Sequence, residues 1–244
     1  MSNFAFMSGT GNDFIVGEYA GEVSDIQIIA LVSDAELDVD GVIFVEKISN
    51  NAVKMHYYNN DGTKAELCVN GVRCTAKYSI DNHFVDSNKF LVIAPVGNIP
   101  VTVSENIVEI EAPIPSYNNT PIAIGDITGI SSSVGNPHFL INVSSVKDID
   151  LPKLSSKILA SNHFPEGVNI EIYEVFDNNF INARVYERGV GETDACGSGA
   201  LCMFNYLSKE KIIGNEGIVN YPGGDIFLRY ENDILYLSGE VRYL

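Results

Sequence analysis

The chain has 244 residues, a net charge of −17 and 45% hydrophobic residues. That length can bury a substantial core, as one large domain or two small ones. The acidic balance argues against nucleic acid or an anionic membrane as partner, because neither is attracted to an acidic surface. No apolar run is long enough for a membrane-spanning helix.

The N-terminal stretch has no basic segment leading into an apolar one, so a cytoplasmic location is expected. The first predicted helix is Ser24–Leu37, with a capping-type start and no proline. Short β-branched and aromatic runs predict strands at Val42–Glu46 and Ala52–Tyr58. Asn59-Asn60-Asp61-Gly62 reads as a turn. A helix is predicted over Cys68–Ile80, then strands at Phe90–Ala94, Ile99–Ser104 and Ile107–Glu111. The proline-bearing stretch Ala112–Pro121 is the best boundary in the chain, dividing residues 1–115 from 116–244.

The second half repeats the order. It has a strand at His138–Val143, a helix at Leu151–Ala160, and strands at Val168–Val175 and Phe180–Tyr186. The glycine-rich Glu187-Arg188-Gly189-Val190-Gly191 is a turn. A helix from Cys196 to Leu207 precedes strands near Ile218–Tyr221, Ile226–Tyr230 and Ile234–Leu237. The final strand could cross back to the first lobe.

Four landmarks recur in order at spacings of 124 to 128 residues. Asn12 answers Asn136, Gly41 answers Gly167, Cys68 answers Cys196 and Gly97 answers Gly224. This is the mark of an internal duplication. The expected fold is α+β, in two pseudo-symmetric lobes with equivalent loops facing each other over a cleft.

All four cysteines lie in two related stretches, AELCVNGVRCTA and TDACGSGALCMF. A disulfide framework is not expected in a cytosolic chain. The five-residue gap within each pair is wrong for a zinc knuckle. No P-loop and no G-x-G-x-x-G after a strand is present, so no metal or cofactor is expected.

Cys68 and Cys196 each sit just ahead of a predicted helix, followed by small or polar residues. The first N–H groups of a helix lack intrahelical partners and carry partial positive charge, which favours an anion. The same field is expected to lower the pKa of a thiol placed there. Two such thiols, with a carboxylate held between two helix N-termini, form a constellation for inverting a carbon. One thiolate takes the α-proton and the opposite thiol returns a proton to the other face. Read singly, either cysteine could be a buried structural thiol; the pairing is what favours chemistry. Cys74 and Cys202, farther along each helix, read as core residues.

These residues carry a resemblance. FMSGTGNDF, NNDGTKAELCVNGVRC, VGNPH, FPEGVN, YERGVGETDACGSGA and PGG make the chain resemble the diaminopimelate epimerase family, cofactor-independent enzymes of lysine and cell-wall precursor biosynthesis. The resemblance implies that each lobe is a curved, mostly antiparallel sheet around a central helix. It implies catalytic roles for Cys68 and Cys196. The helix starts at Val69-Asn70 and Gly197-Ser198 would hold the reacting α-carboxylate. Asn12, Asn59, Asn136, Asn169, Glu187 and Arg188 match residues lining the substrate site, with Arg188 offering a bidentate fork to the distal carboxylate. The expected partner is a small amino-acid substrate, and a homodimer is plausible.

Each matched residue also has a plainer reading. Asn12, Asn59 and Asn136 could serve turns, Asn169 could be a polar residue on a strand face, and Glu187 with Arg188 could be a surface ion pair. His138 is expected to support the site by a hydrogen bond. The chain departs from the family at Val69, where glycine is usual, at ELDVDGV, which keeps only Asp40-Gly41 of a longer segment, and at Ser198, where threonine is common. The alternatives are a related racemase acting on another amino acid, a non-catalytic binder of small acids, or a redox protein using the C-x5-C pairs, the last disfavoured because cysteines six apart on one helix point to different faces.

Overall fold

A computed structural model describes residues 4–64, 68–177 and 179–244. The chain separates into two compact units, Met1–Glu111 with Ser238–Leu244, and Ala112–Leu237. Among the described residues no helix is long and apolar enough to cross a membrane.

The first unit opens with β1 (Ala5–Gly9) and β2 (Asn12–Glu18). They are antiparallel and joined through Thr10 and Gly11, both at positive φ. Helix α1 (Asp25–Ser33) crosses over to β3 (Gly41–Ser49), which pairs parallel to β2. Gln27 caps α1 by accepting the Ser24 N–H at 2.9 Å. This helix ends at Ser33, four residues short of the expected Leu37. Strand β4 (Ala52–Asn59) returns antiparallel to β3. Helix α2 (Val69–Asp81) then crosses over to β5 (Lys89–Ala94), parallel to β4. Strands β6 (Gly97–Ser104) and β7 (Ile107–Ala112) complete a meander.

The last strand, β17 (Ile234–Tyr243), pairs with β7, and its final residues pair with β1, so the sheet of this unit closes. Inside it runs α2, which packs on β1 to β6. A helix enclosed on all sides must satisfy its own polar groups. Thr75 and Ser79 do so by donating to the carbonyls of Gly71 and Thr75, one turn back.

The second unit repeats the plan. Short strands β8 (Ser116–Tyr117) and β9 (Ile122–Ile124) edge β10 (Ile127–Ser133), which is antiparallel to β11 (Pro137–Asn142). Helix α3 (Leu151–Leu159) crosses to β12 (Asn169–Asp177), parallel to β11. Strands β13 (Phe180–Glu187) and β14 (Gly191–Thr193) form a hairpin. Helix α4 (Gly197–Lys209) crosses to β15 (Glu216–Tyr221), parallel to β13, and β16 (Gly224–Glu231) follows antiparallel. Helix α4 is buried along nearly its whole length.

The fold is therefore α+β and internally duplicated. The strand ladders refine the equivalences. Val42 pairs with Tyr58 in the first unit and Ile170 with Tyr186 in the second. Both spacings are 128, the same as from Cys68 to Cys196. Gly41 thus corresponds to Asn169 and not to Gly167. A slip of two residues keeps every strand side chain on its own face, so hydrophobic pattern alone cannot detect it. Strands β1, β2, β8, β9, β10 and β14 are additional to those expected. The edge strands among them are too short to show a period.

Candidate active site

Cys68 and Cys196 are the N-cap residues of the two central helices. Their backbones match: φ −135°, ψ 103° at Cys68 and φ −137°, ψ 111° at Cys196. Each sulfur takes the place of a capping oxygen. Gly71 donates its N–H to Cys68 Sγ at 3.3 Å, and Gly199 to Cys196 Sγ at 3.4 Å. The thiols satisfy the third N–H of each helix. The helix geometry leaves the N–H groups of Val69, Asn70, Gly197 and Ser198 without an intrahelical acceptor. Of the AELCVNGVRCTA stretch, residues 65–67 lie outside the described residues.

In the first unit Cys68 is half-buried. Val69, the residue that departs from the family pattern, is 4% exposed, so its side chain belongs to the core. Asn70 is buried and donates to Asn12 Oδ1 at 2.5 Å. Asn12 donates in turn to Asp40 Oδ2 at 3.2 Å, which also accepts the Asp13 N–H at 2.8 Å. Burial raises the pKa of the Asp40 carboxyl, with the Asp13 N–H and the Asn12 amide opposing. Asn59 spends its side-chain N–H on Thr63 Oγ1 at 3.0 Å, within its own turn.

In the second unit a chain of polar contacts leads to Cys196, which is 5% exposed. Glu171 Oε1 lies 2.7 Å from His138 Nδ1, and His138 Nε2 lies 3.1 Å from Asn136 Oδ1. Asn136 donates to Ser198 Oγ at 3.4 Å, and Ser198 Oγ lies 3.3 Å from Cys196 Sγ. Glu171 and His138 are wholly buried. Behind this chain, Tyr221 is buried, and its hydroxyl has no hydrogen-bond partner among the described residues. Its pKa is raised well above the ordinary value by burial, then by the charges of Cys196 and Glu171. The Gly223 N–H holds the turn after Tyr221 to the Asp194 carbonyl at 2.9 Å, just ahead of Cys196.

The field of the helix N-terminus does not decide the Cys196 pKa. Burial pushes this thiol well above its usual value, and the carboxylates of Glu187 and Glu171 add to that. The Ser198 hydroxyl and the Gly199 N–H oppose the rise without overcoming it. The expected lowering is therefore reversed here, because removing a thiolate from water costs more than one helix end returns.

Asn169 organises a neighbouring turn. It is 5% exposed, donates to the Pro137 carbonyl at 3.0 Å and accepts the Arg188 N–H at 2.9 Å. The Arg188 guanidinium is exposed and donates to the Glu166 carbonyl at 3.4 Å. Glu187 Oε1 accepts from Thr193 Oγ1 at 2.5 Å across the β13–β14 hairpin. Cys74 and Cys202 are fully buried core thiols.

Glu171, Tyr221 and Arg73 were not among the expected site residues. Arg73 follows Cys68 by five positions in a stretch read for its cysteines, and Glu171 sits in an alternating strand. Neither carries a local signal of function.

Known proteins resemble this chain in sequence and in fold. A model of the family described as diaminopimelate epimerase matches residues 4–112 and 130–244. The diaminopimelate epimerase of Brachyspira hyodysenteriae is 33% identical, over 99% of this chain and 96% of that protein. That of Thermotoga maritima is 32% identical, over 96% of this chain and 97% of that protein. Among solved structures, a phenazine biosynthesis protein of the PhzF family from Enterococcus faecalis has a TM-score of 0.79 at 14% identity, covering 100% of this chain and 97% of that one. A hydroxyproline epimerase from Agrobacterium vitis has a TM-score of 0.70 at 12% identity, covering 99% and 88%. At those identities the two structures share the fold alone, whereas the sequence matches go further: this chain belongs to the diaminopimelate epimerase family.

Proposed function

We propose that this protein interconverts LL- and meso-diaminopimelate without a cofactor, as a step of lysine biosynthesis, by a two-thiol mechanism. The observation that carries the reading is the pair of N-cap cysteines with matching backbone geometry on the two central helices. The substrate's reacting carboxylate sits on the N–H groups of Val69, Asn70, Gly197 and Ser198. One sulfur, as thiolate, takes the α-proton. The carbanion's charge moves into the carboxylate, where the helix N-termini stabilise it. The other sulfur, as thiol, delivers its proton to the opposite face. The two sulfurs have then exchanged protonation states.

Asn12, Asn59, Asn136, Asn169, Glu187 and Arg188 hold the rest of the substrate. Arg188 is the cation for the distal carboxylate. Asn169 acts through the turn it braces. The working assembly on this reading is a homodimer in the cytoplasm, with a small amino acid as substrate.

Incubation with diaminopimelate in heavy water tests the mechanism. The wild type washes deuterium into the α-position, while Cys68→Ala and Cys196→Ala lose interconversion. Exchange at full rate in both variants would sink the two-thiol scheme. A second reading, a racemase of the same family acting on another amino acid, is motivated by Val69 and the ELDVDGV segment, where the chain departs from the family pattern. Turnover of another amino acid with none of diaminopimelate would select it.

A further inference from the structure

The N-cap cysteines of α2 and α4 share a backbone geometry but differ in the charged side chains buried near them. Arg73, on α2, is 0% exposed. Its Nη2 donates to Asn70 Oδ1 at 2.6 Å and to Thr10 Oγ1 at 2.8 Å, and its Nη1 donates to the Glu240 carbonyl at 3.2 Å. Its Nε has no hydrogen-bond partner among the described residues. Among the described residues its acceptors are an amide, a hydroxyl and a carbonyl; none is a carboxylate. A buried cation without a counter-ion is costly, and proteins generally pair such charges.

The 128-residue equivalence places Leu201 where α2 has Arg73. The same equivalence sets Ile43 against Glu171 and Asn59 against Glu187. The first unit therefore backs its cysteine with a cation where the second has leucine. The second backs its cysteine with two carboxylates where the first has isoleucine and a neutral amide.

We propose that Arg73 is a positioning residue and built-in counter-charge that makes Cys68 the thiolate of the resting protein, leaving Cys196 as the protonated thiol. This deepens the two-thiol reading and rests on it. Arg73 orients Asn70, whose N–H belongs to the carboxylate seat, and supplies the positive charge beside which the Cys68 sulfur can lose its proton.

Burial lowers the Arg73 guanidinium to about 10, so it remains a cation at neutral pH, and the Cys74 and Cys68 sulfurs act to raise it. Asp13 acts on Cys74, and Asp40 is engaged by Asn12 and the Asp13 N–H. Around Cys196 stand Glu187, Glu171 with His138, and Tyr221. A substrate isomer whose α-hydrogen meets Cys68 finds a base ready, and the proton it loses is replaced by the one on Cys196.

The test needs no substrate, so it stands apart from the identity of the reaction. Iodoacetamide alkylation of the full chain is followed against pH, with Cys68 and Cys196 resolved by peptide mass spectrometry. The pH midpoint is compared, not the rate, because Cys68 is also the more exposed sulfur. In the wild type Cys68 has the lower midpoint. In Arg73→Met the Cys68 midpoint rises by about one unit or more, Arg73→Lys restores part of the difference, and Cys196 is unmoved. Should Arg73→Met unfold, the core thiols Cys74 and Cys202 become reactive too, and the wild-type order of midpoints decides alone. Equal midpoints in the wild type, or a Cys68 midpoint that stays put in folded Arg73→Met, would overturn the proposal.

Discussion

Glu171 occupies the space that a side chain at Gly199 would need: a Cβ there would stand 2.5 Å from Oε1 and 3.0 Å from Cδ. Glycine at the third position of α4 is thus required by a carboxylate from β12. The same N–H that caps Cys196 belongs to this glycine. Substituting Gly199→Ala is expected to destabilise the protein by about 1–3 kcal/mol and to reduce activity sharply. The equivalent Gly71→Ala meets Met55 Cε at 2.9 Å, the movable end of a flexible side chain. It should cost less on both counts. Urea midpoints and initial rates for the two variants check this, and equal losses would contradict it.

Asn169 satisfies two backbone groups at once, the Pro137 carbonyl and the Arg188 N–H. Asn169→Ala leaves both without that partner and frees the turn carrying Glu187 and Arg188. The expected result is a loss of about 1–3 kcal/mol in stability and a rise in KM larger than the fall in kcat. A kcat loss with unchanged KM would argue against a turn-bracing role.

Tyr221 presents a buried hydroxyl without a hydrogen-bond partner among the described residues. Removing an unpaired polar atom from a core is neutral or stabilising. Tyr221→Phe should therefore melt at the same temperature as the wild type or higher. A lower melting temperature would mean that the hydroxyl has a stabilising partner in solution.

Cys74, Cys196 and Cys202 all have pKa values raised above 9.0, with burial the largest cause. A thiol whose folded pKa is raised favours folding fully below its unfolded pKa. That contribution declines as pH rises through and beyond about 9, because the unfolded chain then releases protons the folded chain retains. Stability measured by urea titration should hold from neutral pH to about 8.5 and fall above it. Cys202→Ala should flatten that fall, whatever its effect on the absolute value.

Much of this protein is legible in its residues. The two cysteine stretches, the helix starts at Cys68 and Cys196, and the major strands follow from capping chemistry and side-chain period, which act over a few residues. The duplication follows from ordered landmarks, although its register through Gly41 and Asn169 waited for hydrogen-bonded ladders. Three things required the tertiary structure. The closure of the first unit by β17 depends on pairing between chain ends more than two hundred residues apart. The pKa of Cys196 depends on burial and on two carboxylates from another strand and turn, against which the local helix field is the smaller effect. The different charged groups near the two cysteines are invisible until Arg73 and Glu171 are seen to be wholly buried, because a charge matters to a thiol through distance and dielectric, and neither is written in sequence order.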